Sequence, residues 1–282
     1  MATLVTYLTL ITPNGTVLSG TPSSDPVLHA ALVGLGLLGV ITSATLKIVP
    51  LFHICKQHHP CTRSEILSGH SHNALQGQIP DDIDSLMFFV TQTAAWYITR
   101  VKLGVEPGST LSSWSSDGKA VSPTNNPSKD FSHKALAFPP HSFDACRQTE
   151  AEFFLPAGVS GLAATRAFLD SVGSPYSGNF TVFARYVAAD DFLLSPARRR
   201  HSLALTLVVR HGPGREREGA GLGIDRNKFA ELQAKFEKVC REFDGRPHWA
   251  KRHLFTKRKF TNSHKNLTNQ PSNSQNQFQK IN

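Results

Sequence analysis

Gly245–Lys251, reading GRPHWAK, gathers two cations, an imidazole and an indole into seven residues. Arg246 and Lys251 donate hydrogen bonds, His248 can donate or accept, and Trp249 offers a flat apolar face with one N–H. Such a set suits a developing negative charge or a polyhydroxylated ligand. The same residues also suit a packed corner at the end of a core helix. Gly245 is expected to take the left-handed conformation that ends a helix, and Pro247 to prevent its restart. A further cation, Arg185, lies inside the strand-like stretch Phe180–Ala188, where it is either a site residue or a surface charge.

Two other stretches invite a chemical reading. Gly34–Gly39, GLGLLG, matches GxGxxG literally. A dinucleotide fingerprint needs a strand before it, a helix after it, and an acid roughly twenty residues on. Here a short apolar helix at Val27–Leu35 precedes, a strand at Val40–Val49 follows, and the later region reads CKQHHP. The glycines are therefore expected to form a helix-to-strand turn that brings backbone close to something flat or to another strand. The second stretch, Cys55 to His72, contains Cys55, His58, His59, Cys61, His70 and His72. Its spacing fits no zinc template, so these are expected to be loop histidines and no metal is assigned.

The elements around these residues can be read from periodicity. Leu4–Leu10, the turn at Pro13-Asn14-Gly15 and Thr16–Leu18 form a β-hairpin. Leu86–Leu103 is rich in β-formers, Gly104–Lys129 reads as a long loop, and Thr149–Leu155, Phe180–Ala188 and Ser202–Val209 read as strands. Val159–Val172 and Phe229–Phe243 carry apolar residues at helical spacing. This order predicts an α+β fold with helices on one face of a mainly antiparallel sheet.

The 282 residues are 40% hydrophobic and 18% charged, a globular composition with room for two units. Four cysteines follow no disulfide framework, and the N-terminus resembles no secretory signal, so an intracellular protein is expected. Ala30–Val49 is too interrupted by glycine and polar residues to span a bilayer. The formal charge of +9 sits in the last stretch: Arg246–Asn282 holds eight Lys or Arg and no Asp or Glu, leaving about +1 for the rest. Residues 254–282 read as a disordered basic tail, with Lys257-Arg258-Lys259 as a candidate contact for phosphates or an anionic membrane. A solvated tail is the default, and no nucleic-acid partner is expected.

Several segments together resemble the FAD-linked sugar-lactone oxidases, the group that includes D-arabinono-1,4-lactone oxidase, L-gulonolactone oxidase and alditol oxidase. They are ALVGLGLLGVITSATLKIVP at Ala31–Pro50, SHKALAF at Ser132–Phe138, EAEFFLP at Glu150–Pro156, ARYVAADDFLLSP at Ala184–Pro196, and GRPHWAK itself. They occur in the family's order. The resemblance implies the end of a vanillyl-alcohol-oxidase-type FAD-binding domain at residues 1–52 and a substrate or cap domain at 85–253. It implies oxidation of an alcohol carbon of a sugar lactone or alditol, with FAD as cofactor, oxygen or another electron acceptor, an ascorbate-type biosynthetic role, and at most peripheral membrane association. By resemblance, Lys251 and Arg185 are the catalytic cations, His248 and Trp249 shape the substrate pocket, and Gly36, Gly39, Val40 and Ile41 lie beside the flavin.

Two departures accompany the matches. Family chains carry a Glu two positions before the Arg, and here that position is Phe183. The family's glycine-rich pyrophosphate loop is expected upstream of Met1, and the last helix and strand give way to the tail, so the resemblance implies a chain truncated at both ends. A catalytically inactive paralogue or a polyanion binder acting through its tail are the alternatives to an enzyme.

Overall fold

The computed structural model describes residues 2–68, 85–90, 95–103, 128–131, 147–172, 180–211 and 226–254. Of the expected tail, residues 254–282, only Leu254 lies within this set. The basic run Lys257–Lys259, the SHKALAF segment and most of the predicted loop Gly104–Lys129 lie outside it.

The hairpin forms as its sequence predicts. β1 (Val5–Ile11) pairs antiparallel with β2 (Val17–Gly20), and β3 (Val40–Leu46) adds on the other side, giving the order β2-β1-β3. Helix α1 (Pro26–Ala31) begins where Asp25 accepts from the amides of Val27 and Leu28, with Pro26 in the first turn. It buries Leu28 and Ala31 against Leu8 and Leu10. The other face of this small sheet is open, and every residue of β3 is exposed.

Eight strands make the larger sheet. In chain order they are β4 (His53–Cys61), β5 (Ser85–Val90), β6 (Ala95–Leu103), β7 (Ser128–Phe131), β8 (Arg147–Pro156), β9 (Phe180–Val187), β10 (Ser202–His211) and β11 (Arg246–Pro247). Their spatial order is β11-β8-β10-β9-β5-β6-β4-β7, with every pairing antiparallel. Helices α2 (Arg63–Ser68), α3 (Val159–Ser171) and α4 (Arg226–Glu242) cover one face. Alternate residues of the strands, among them Phe88, Phe153, Leu155, Val182, Leu203 and Leu205, meet Phe168, Leu232 and Phe236 there. Gly161 lets α3 close on β10: a Cβ at this position would come 2.6 Å from Leu203 Cδ2.

β4 corrects the sequence reading of Cys55–Cys61 as a loop. His58 and His59 are strand residues that alternate between the two faces, opposite Ile98 and Tyr97 of β6. His59 stacks on Tyr97 and sits 2.9 Å from Thr99 Oγ1. The strand was hard to see because its pairing is supported by β6 and β7 from distant sequence, while its own residues are mostly polar. Among the described residues no cluster of His, Cys, Asp and Glu has the geometry of a metal site.

The end of α4 also departs from the expected cap. Asp244, with φ of 55°, takes the left-handed conformation, and Gly245 follows it. Asp244 N–H donates to Arg241 O and Gly245 N–H to Cys240 O, at 3.2 and 2.7 Å, which closes a Schellman motif. Glycine is needed at 245 for space, since a Cβ would lie 2.5 Å from Cys240 O. Pro247 then serves an edge strand, where its missing N–H costs no ladder bond.

Arg200 ties this corner to the sheet. Its guanidinium donates to Asp244 O at 3.0 Å and to Phe154 O at 2.8 Å, and burial together with nearby Arg246 lowers its pKa to about 10 against the opposing pull of Asp244. Replacing Arg200 with Met strands both carbonyls and should cost about 2–4 kcal/mol. Denaturant melts of the variant read this directly, and a loss below half a kcal/mol would remove Arg200 from the frame.

Candidate active site

On the sheet face away from the helices, strand alternation places Glu150, Glu152 and Phe154 of β8 beside Ala204 and Thr206 of β10, and Phe183 and Arg185 of β9. One register row runs Glu152, Thr206, Phe183, Phe89, Trp96 across five adjacent strands. The rings of this row stack, Phe89 on Trp96 at 5.1 Å and Phe89 on Phe183 at 5.8 Å between centroids. The next row sets Arg185 opposite Ala204 and Met87.

GRPHWAK is laid along the edge of β8 by its backbone. After the two residues of β11, His248 N–H donates to Glu152 O at 2.9 Å, Lys251 N–H to His248 O at 3.0 Å, and Arg252 N–H to Glu150 O at 3.1 Å. This carries Lys251 back over the sheet, where its ammonium pairs with the Glu150 carboxylate. Arg185 donates from Nη2 to Glu152 Oε1 at 2.9 Å. Arg185, His248 and Lys251, separated by as many as 66 positions in sequence, thus meet in one cluster with two acids.

The cluster is layered. The side chains of Arg185 and Lys251 are 45% and 33% exposed, whereas those of Glu152 and Glu150 are 2% and 19% exposed. The cations face outward and the acids hold them from beneath. Thr206 Oγ1, in the register position between Glu152 and Phe183, is buried without a hydrogen-bond partner among the described residues.

The surroundings of His248 favour its neutral form. Burial lowers its pKa, and Lys251 and Arg185 lower it further, against the opposing effect of Glu152. Its Nδ1 accepts from Ala250 N–H at 3.2 Å, so the proton of the neutral ring sits on Nε2 and the imidazole is a donor toward any ligand. A histidine held below its unfolded pKa of about 6.5 stabilises the fold fully above that value, and the contribution is lost as pH falls. His58 shifts in the same direction, through burial and then Lys56, Arg100 and His59. The melting temperature should therefore fall as pH drops below about 6.5, less steeply in His248→Gln. Equal slopes would contradict a neutral His248.

Trp249 is held by other partners. Its indole N–H donates to Leu194 O and its ring meets His253 edge-on. The ring pins the connection between β9 and β10, whose Phe192 packs 5.2 Å from His29 of α1. Of the residues assigned to the flavin side, Gly36 (φ 75°) makes a turn with open space around it. Gly39 is required by the fold itself, because a Cβ there would lie 2.1 Å from Ile11 O. Of the two expected possibilities, close approach to a strand is the one the geometry of Gly39 shows. Val40 and Ile41 lie exposed on β3, an edge strand of the small sheet among the described residues.

Glu150, Glu152 and Thr206 were not singled out from sequence. The signal was present for the acids: two Glu at alternate positions of a strand whose intervening residues are apolar must share its other face.

The sheet and helix arrangement is that of vanillyl-alcohol-oxidase-type flavoenzymes. Berberine bridge enzyme from Eschscholzia californica superposes with a TM-score of 0.52 at 14% identity, over 86% of this chain and 52% of that one. 6-Hydroxy-D-nicotine oxidase from Arthrobacter nicotinovorans superposes with a TM-score of 0.51 at 16% identity, over 90% of this chain and 57% of the other. L-gulonolactone oxidases of Mus musculus and Bos taurus are 26% and 27% identical over 92% of this chain. The chain spans 62% of the length of these two relatives. The D-arabinono-1,4-lactone oxidase family model matches residues 124–272, more than half of the chain, and the chain belongs to that family.

The residues present fit the ring portion of a flavin. Two partly exposed cations and an imidazole donor suit a flat group that gains negative charge; separately, β3 is an edge strand among the described residues with every residue exposed. No helix among the described residues is long and apolar enough to cross a membrane.

Proposed function

We propose that this chain carries the substrate-binding half of an FAD-dependent oxidase for a sugar-1,4-lactone of the D-arabinono or L-gulono type, or for an alditol, with oxygen as the acceptor. The observation that carries this reading is the convergence of Arg185, His248 and Lys251 with Glu150 and Glu152 on the open face of the sheet. A polyhydroxylated ligand needs donors and acceptors interleaved at short range, and the cluster supplies both. When bound, the flavin supplies the hydride acceptor. Val40, Ile41 and the edge of β3 would lie along it, and the substrate would lie toward the cluster. Arg185 and Lys251 hold oxygens of the substrate and steady charge that develops during oxidation. His248 donates from Nε2, Glu150, the more exposed acid, accepts from a hydroxyl, Glu152 holds Arg185 from beneath, and Thr206 Oγ1 has hydrogen-bonding capacity in the same row. An ascorbate-type biosynthetic role and peripheral membrane attachment belong to this proposal through the family.

A second reading is a non-catalytic protein that keeps the cap fold. It is favoured by one feature, that each cation is already paired with a carboxylate and so could be a structural clasp. Incubating the chain with excess FAD, removing free flavin and adding aldonolactones without oxygen separates the two. Retained flavin whose visible band bleaches with a lactone supports the oxidase. A folded protein that retains flavin but shows no bleaching with any lactone supports the clasp.

A further inference from the structure

The charges of the cluster cancel, and this carries a consequence for what it binds. Two cations face two carboxylates: Arg185 Nη2 lies 2.9 Å from Glu152 Oε1, and Lys251 pairs with Glu150. His248 adds no charge in its neutral form. The exposures fix which partners lie outermost. Glu152 at 2% and Glu150 at 19% lie deeper than the cations, whereas Arg185 at 45% and Lys251 at 33% open outward. A ligand therefore meets two donors whose charge is already balanced from below.

We propose that Glu150 and Glu152 are specificity-determining residues that tune this site to uncharged polyols and lactones and against the sugar acids derived from them. The proposal rests on the reading of the cluster as a lactone site and deepens it. Lactone and acid interconvert in water: water adds at the ester carbonyl, the ring C–O bond breaks, and the product loses a proton to leave an aldonate. An unguarded Arg and Lys would favour that carboxylate over the lactone, since a bidentate Arg–carboxylate pair is among the strongest polar contacts. With Glu152 and Glu150 behind the cations, an incoming carboxylate meets like charge a few ångströms deeper, and the attraction is offset. Hydroxyls incur no such repulsion. The buried position of Glu152 matters here, because repulsion is screened least where water is excluded.

Calorimetric titration of the full chain with L-gulono-1,4-lactone and with sodium L-gulonate, for the wild type and for Glu150→Gln/Glu152→Gln, tests this. The wild type should prefer the lactone, and the ratio of lactone to gulonate affinity should fall at least about tenfold in the double variant, the effect of removing like charges at this range. An unchanged ratio, or a wild type that binds gulonate as tightly as the lactone, overturns the proposal. If the wild type binds neither, the lactone-site reading fails by itself. Gulonate binding gained by the double variant then still upholds the charge argument, and no gain overturns it. Should the double variant fail to fold, Glu150→Gln alone, at the more exposed acid, should move the ratio in the same direction, and no movement overturns the proposal.

Discussion

Gly39→Ala should unfold the small sheet, at a cost of at least about 3 kcal/mol. Two independent effects act together at this position. The backbone holds φ of 142°, where side chains are strained, and the added methyl would sit 2.1 Å from Ile11 O. The obstacle is a backbone carbonyl within the β1–β3 pairing, where Ile11 faces Val40, so no side chain can swing aside. Relief requires β3 to part from β1, and the core of this unit is small: Leu8, Leu10, Leu28 and Ala31 are buried, with Val5, Leu18, Leu32 and Leu38 packed against them. Hydrogen exchange should show amides of β1 and β3 losing protection while those of β8 and β10 keep theirs. Full protection in β3 would show that the strand relaxes around the methyl. Because the glycine is required by the strand pairing, loss of flavin binding in this variant would report the fold and not a direct contact.

Lys251→Ala should act in the opposite way, with a large effect on turnover and a small one on stability. In the flavin-loaded protein, removing a cation that steadies developing charge lowers turnover by a factor on the order of a hundred or more. The Lys251–Glu150 pair is partly exposed, so its loss costs the fold about 1 kcal/mol or less. A clasp would give the reverse ordering, a measurable loss of stability and no change in rate. Turnover and melting measured on the same preparation separate the two, and unchanged turnover would remove Lys251 from the site. Phe183→Glu extends the test: a carboxylate one register position from Thr206 and two from Glu152 should strengthen polyol binding if the apolar ring limits it. No change in affinity would show that Glu152 already meets that need.

The legible and illegible parts of this molecule divide by range. The β1–β2 hairpin, α3 and α4 could be read because each depends on residues within one segment: the Pro-Asn-Gly turn, or apolar residues at three and four spacing. β4 could not, because a polar strand between two distant partners leaves little local pattern. At the site, GRPHWAK and Arg185 could be picked out by type and by resemblance, but their meeting with Glu150 and Glu152 depends on register. Thr206 is the shared neighbour of Glu152 and Phe183, and that relation places a carboxylate near the position where Phe183 departs from the family pattern. The cap of α4 shows a finer limit. Asp-Gly announces the turn, yet which of the two residues takes the left-handed conformation follows from the space around Cys240.

On the proposed reading, the sugar ligand sits at the cluster on β8, β9 and the GRPHWAK turn. The direct measurement is the ring resonance of His248, followed by NMR while L-gulono-1,4-lactone is added, with His59 on the opposite face of the sheet as internal reference. A saturable shift of His248 with His59 unmoved is the predicted result. A lactone that bleaches the flavin while leaving His248 unmoved would contradict this placement.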